Sequence, residues 1–134
     1  GRVVTVDIDD SVRRPAHPLI TFISGSSTAP DVVARVKAEA ASAQRVFVIL
    51  DSDHRRAHVE AELEAYAALV GPGDYLIVED TNINGHPAYP SFGEGPMEAM
   101  QAFLQERPEF SQDPRCERFM LTLNPRGFLR RAGG

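Results

Sequence analysis

The chain has 134 residues, 43% of them hydrophobic and 25% charged. That suits one globular domain in which about two-thirds of the unfolded surface can be buried. A formal net charge of -5 argues against a nucleic-acid binder, which needs a basic face. No apolar run approaches the roughly 18 residues of a membrane span, no charged-then-apolar leader opens the chain, and the lone Cys116 permits neither an internal disulfide nor a zinc cluster. The expectation is a cytoplasmic protein with no membrane and no nucleic-acid partner.

Val3–Asp7 reads as a strand, and residues 19–23 as a second apolar, β-branched run that stops at Ser24-Gly25-Ser26-Ser27. Pro30 suits a first helical turn, and Val32, Val33, Val36 and Ala40 follow at helical spacing. Residues 46–50 form an apolar strand ending at Asp51, and residues 58–69 a helix with Val59, Leu63 and Tyr66 on one stripe. Gly71-Pro72-Gly73 ends that helix, and Tyr75–Val78 is the next strand, ending at Glu79-Asp80. A polar loop with several glycines and prolines spans 81–95, and Pro96–Glu106 is a helix with Met97, Met100, Phe103 and Leu104 on its apolar face. Residues 119–123 and 127–129 read as two short strands joined as an antiparallel hairpin.

Strands alternating with helices, the middle ones apolar on both faces, predict a doubly wound, mostly parallel α/β sheet with that hairpin at its C-terminal edge. Ligands of such sheets bind beyond the carboxyl ends of the strands. Read in order, those positions hold Asp7, then Gly25, Ser26 and Ser27, then Asp51-Ser52-Asp53-His54, then Glu79-Asp80-Thr81-Asn82. Any one of these acids can simply cap the next helix. If their strands are neighbours, however, Asp51, Glu79 and Asp80 converge, and carboxylates so crowded repel until a hard cation such as Mg²⁺ joins them. His54 is a candidate general base, since histidine titrates near neutrality; the alternative is a surface histidine near a helix start. Asp7 is placed to accept from ribose hydroxyls, and Ser26 and Ser27 to face an adenine ring.

Asp51-Ser52-Asp53-His54, Val78-Glu79-Asp80-Thr81, Asn84-Gly85-His86-Pro87, Phe92-Gly93-Glu94-Gly95-Pro96 and Asn124-Pro125-Arg126-Gly127-Phe128-Leu129-Arg130-Arg131 resemble the cephalosporin hydroxylase/rhamnosyl O-methyltransferase family over nearly the whole chain. The resemblance implies a Rossmann-like class I methyltransferase fold, S-adenosylmethionine and Mg²⁺ as cofactors, and a hydroxyl of a small metabolite, sugar or antibiotic as acceptor. Carried over by position, it implies metal ligands at Asp51, Glu79 and Asp80 and a catalytic histidine at His54. It also implies cofactor contacts at Asp7, Gly25, Ser26 and Ser27, with Asp51 beside them. The family's opening strand and glycine-rich turn have no counterpart before Asp7. The expectation is therefore one partial methyltransferase domain, 1–134, whose bare sheet edges association with another chain, a homo-oligomer included, would cover.

Two other readings compete. Asp7-Ile8-Asp9 after an apolar strand matches a phosphatase of the haloacid dehalogenase type, but the sole lysine, Lys37, lies on a helix without the context that chemistry needs. A truncated, inactive methyltransferase-like domain serving as an interaction module is the non-enzymatic alternative.

Overall fold

The computed structural model describes residues 1–11 and 13–133. The chain divides into two compact units, Gly1–Ala43 and Gln44–Gly134.

In the first unit, β1 (Val3–Asp7) and β2 (Ile20–Ser24) run parallel, with Val3 opposite Ile20 and Asp7 opposite Ser24. Helix α1 (Pro30–Ala40) begins on Pro30, whose missing N–H costs nothing in a first turn. Among the described residues of this unit, Ile23 of β2 and Val32 of α1 are the buried apolar ones. The Arg2 guanidinium donates to the Glu39 carboxylate at 2.9 Å and so ties the end of α1 to the start of β1.

The second unit holds a four-stranded sheet in the order β3 (Val48–Leu50), β4 (Tyr75–Val78), β6 (Phe128–Arg131), β5 (Phe110–Gln112). β3 and β4 are parallel, joined through α2 (Arg56–Tyr66) and a 3-10 turn at Ala67–Leu69; β6 runs antiparallel to both β4 and β5. α3 (Pro96–Glu106) packs against α2. Leu76, Val78 and Leu129 of the sheet meet a core that includes Leu63, Met97 and Met100, all essentially solvent-free. Each such side chain contributes about 1.5–3 kcal/mol by burial. Phe103 of α3 and Phe110 of β5 add a tilted ring pair at 5.3 Å.

The α/β class and a C-terminal antiparallel pair stand, but the pair is not the one expected. Residues 119–123 are not a strand, and Phe119, Met120, Leu121 and Leu123 are exposed. The reason is occupancy: β4 takes one side of β6 and β5 the other, so no ladder is left for 119–123. β5 claims its place because Phe110 has a buried ring partner, whereas Met120 turns through a left-handed backbone at φ 58°. The strand expected at 46–50 shrinks to Val48–Leu50, since the Val46 N–H donates to the Asp74 carboxylate instead of a ladder. Among the described residues no helix is long and apolar enough to cross a membrane.

Candidate functional site

β3 and β4 are neighbours in parallel, with Leu50 opposite Val78. The Glu79 N–H donates to the Leu50 carbonyl at 3.0 Å, so the ladder runs one step past the strands. Asp51 therefore stands beside Glu79 and Asp80. Asp80 turns at φ 50°, a left-handed backbone that a non-glycine residue adopts at a cost of about 1–2 kcal/mol. The turn at 124–127 holds it there. Asn124 Oδ1 accepts from the Asp80 N–H at 2.8 Å, and the Thr81 hydroxyl donates to the Pro125 carbonyl at 2.7 Å. That turn can lie so close only because Gly127 has no Cβ; one would overlap the Val78 carbonyl oxygen.

His54 faces the same rim. Its Nε2 lies 3.4 Å from Asp51 Oδ1 and 3.3 Å from Asp80 Oδ2. Neither approach has hydrogen-bond geometry, and the atom is buried without a hydrogen-bond partner. One ligand atom each from Asp51, His54 and Asp80 falls within a 4.8 Å span. Glu79 is not part of that trio, but it is coupled to it. Burial raises its carboxyl above the ordinary range, the charges on Asp51 and Asp80 raise it further, and the Asn124 amide pulls the other way. A carboxyl raised by two neighbouring carboxylates marks a crowded set of oxygen donors suited to a hard divalent cation.

The loop over 81–95 is anchored at the same end. Burial pushes the Glu98 carboxyl up, but donors from the Gly95 N–H, the His86 ring and the Asn84 amide outweigh it and hold the group at about 2. Gly95 is the residue before α3, and Glu98 closes its first turn. His86 is thus tied at 2.8 Å to Glu98. Arg56 bridges Glu60 and Glu94, clasping the loop to the start of α2.

In the first unit, Asp7, Gly25, Ser26 and Ser27 sit at the carboxyl end of the parallel pair. The Gly25 N–H donates to the Asp7 carbonyl at 2.9 Å, and the Ser26 and Thr28 hydroxyls are 3.1 Å apart. Gly25 takes φ 138°, and a Cβ there would meet Val32 Cγ2 at 2.8 Å, so only glycine fits. The Asp7 carboxylate is exposed and accepts from the Asp9 N–H. An exposed acid beside small, open backbone is chemistry that can take a diol and a flat ring.

Three residues beside the rim make contacts to which the sequence assigned no role: Asn124, Ser52 and Glu62. Asn124 had a visible signal in Asn124-Pro125-Arg126-Gly127, read there as a hairpin turn. Glu62 had none, because a glutamate on a helix ordinarily faces water; here it is 2% exposed.

The chain is 43% identical over 138 residues to rhamnosyl O-methyltransferase of Mycobacterium tuberculosis (strain ATCC 25618 / H37Rv) and 42% identical over 135 residues to that of Mycobacterium leprae (strain TN). Each comparison covers 96% of this chain but only 55% and 58% of the relative, so the chain spans little more than half the length of these curated relatives. MycE methyltransferase from the mycinamycin biosynthetic pathway, solved in complex with Mg and SAH, matches 99% of this chain and 37% of its own at a TM-score of 0.57 and 20% identity. A form also holding mycinamycin VI matches 81% of this chain and 30% of its own at 0.55 and 23%. At those identities the likeness shows the fold, a Rossmann-like methyltransferase one. The family model described as rhamnosyl O-methyltransferase/CmcI matches residues 1–132, and the chain belongs to that family.

Proposed function

We propose that this chain is part of a Mg-assisted, S-adenosylmethionine-dependent O-methyltransferase acting on a hydroxyl of a small metabolite, sugar or antibiotic, and that 1–134 belong to a single such domain. The observation that carries the reading is the meeting of Asp51, His54 and Asp80 within a 4.8 Å span, with Glu79 coupled to them. The names of the curated relatives and the Mg and SAH held by the MycE structures support it.

In this reading Asp51, Glu79 and Asp80 hold the cation, and Asp7, Gly25, Ser26 and Ser27 serve the methyl donor. When bound, the donor supplies an electrophilic methyl on a sulfonium and the cation supplies positive charge against a developing alkoxide. His54 Nε2 takes the proton of the substrate hydroxyl, leaving the electron pair on oxygen for the methyl. Asp51 Oδ1 and Asp80 Oδ2, within 3.4 Å, stabilise the imidazolium that results. The loop over 81–95, with exposed Tyr89 and Phe92 as a tilted ring pair at 6.1 Å, shapes the acceptor pocket. A cytoplasmic location goes with small-molecule chemistry of this kind.

The test is methyl transfer by the full-length protein carrying Asp51→Ala or Glu79→Ala, with and without Mg²⁺. Loss of transfer in both variants and in metal-free wild type is expected. Undiminished transfer without metal sinks the cation's role. Failure to bind S-adenosylmethionine in a calorimetric titration favours the interaction module instead.

A further inference from the structure

The carboxylate of Glu62 is unusual among the acids of the second unit. It lies on α2 between Val59, Leu63 and Tyr66, all buried, and its side chain is only 3% exposed. Burying a charge is costly unless its partners are in place. Here the partners are few. Oε1 accepts from the Ser52 hydroxyl at 2.7 Å and lies 3.6 Å from His58 Nε2, while Oε2 accepts no hydrogen bond. An apolar residue of similar volume would fill such a position at less cost. What the carboxylate achieves is local. Ser52 follows Asp51 directly and precedes His54 by two, so the Ser52–Glu62 bond clamps the short stretch between two groups that must face one point. The next turns of that stretch are held separately: Asp53 accepts from the Arg55 N–H at 3.0 Å, and α2 then begins at Arg56. The Ser52 hydroxyl is thus the tie between the Asp51 end of the stretch and the buried face of the helix that follows.

We propose that Glu62, acting through Ser52, is a positioning residue for the cation site, fixing the direction of the ligand Asp51 and, two residues on, of the base His54. The inference rests on the reading of Asp51, Glu79 and Asp80 as cation ligands. Partners one step behind the ligands commonly set affinity because they fix ligand direction, and their loss weakens metal binding about 10–100-fold.

The experiment is a Mn²⁺ titration of the full chain, followed by loss of the free-ion EPR signal, with thermal melting of each metal-free variant alongside. Ser52→Ala and Glu62→Leu are each expected to weaken Mn²⁺ binding about 10–100-fold, and Glu62→Gln, which keeps an acceptor for Ser52 without the charge, to restore most of it. Asp51→Ala is the reference for a lost ligand. Ser52 is exposed, so Ser52→Ala decides the matter if Glu62→Leu does not fold. Wild-type affinity in Ser52→Ala while Asp51→Ala loses the ion overturns the positioning role and leaves the site standing. Weak binding in Glu62→Gln equal to that in Glu62→Leu, with Ser52→Ala normal, assigns the effect to charge and overturns it too. Failure of the wild-type chain to take up Mn²⁺ overturns both readings. A lower melting temperature with unchanged affinity marks a merely structural carboxylate.

Discussion

The two ends of β4 carry acids in opposite states. At the amino end, each acid has a cation and a donor. Asp74 accepts from Arg45 and from the Val46 N–H, and Asp113 accepts from the Tyr75 hydroxyl at 2.6 Å and from Arg115. The Arg115 guanidinium and then the Tyr75 hydroxyl hold the Asp113 carboxyl well below its ordinary range. At the carboxyl end, acids face acids. Glu79 is raised by burial and by Asp51 and Asp80, and the nearest imidazole nitrogen makes no hydrogen bond. One strand thus separates acids that are each paired with a donor from acids that crowd one another. The same residue types are buried and paired at one end and more open and crowded together at the other.

That contrast can be broken or sharpened in four ways. The largest effect is expected from His54→Ala in the full-length protein, where loss of a general base lowers kcat by about 10²–10⁴-fold; a steady-state methyl-transfer assay giving wild-type kcat removes His54 from the chemistry. Next, Leu76→Ala at the solvent-free middle of β4 is expected to cost about 2–5 kcal/mol in denaturant unfolding. A smaller cost would mean that the strand joining the two ends is less tightly packed than its burial implies.

The third is a pair of opposite signs. Asp113→Asn is expected to lower the melting temperature at neutral pH. Because the folded carboxyl lies below its ordinary 3.8, the stability it lends is present above that value and is lost as the pH falls from there. The wild type should therefore lose stability in acid more steeply than Asp113→Asn. Glu79→Gln is expected to raise the melting temperature of chelator-treated protein at neutral pH. Its folded carboxyl lies above the ordinary 4.5, so its favourable contribution is present below 4.5 and is lost as pH rises through the raised value. Melting scans across pH in the presence of chelator check both, and equal signs for the two variants would erase the distinction between the ends. The smallest effect is expected at Leu121→Ser, within about 0.5 kcal/mol, since this side chain is 91% exposed; a large loss would restore residues 119–123 to the sheet.

Much of this is legible in the sequence. Val3–Asp7, Tyr75–Val78, Pro30–Ala40 and Pro96–Glu106 end where the residues say, because a proline at the first helical turn and a polar group after an apolar run are local signals. The convergence of Asp51 with Glu79 and Asp80 was legible as a condition on β3 and β4 pairing in parallel, which they do. The C-terminal segment differs from its sequence expectation because Phe119, Met120 and Leu121 have strand composition, while the three residues Phe110–Gln112 are too short to show a period.

By itself, then, the sequence determined where most helices and strands lie, which acids follow which strands, and the family. Those properties depend on nearest neighbours in the chain and on residue types. Only the tertiary structure decided which segment pairs with β6, that Asn124 reaches across to hold Asp80, and that Glu62 turns inward to hold Ser52. Each of these is a competition among distant groups for one ladder edge or one hydrogen-bond donor. The winner is set by which other groups are already packed there.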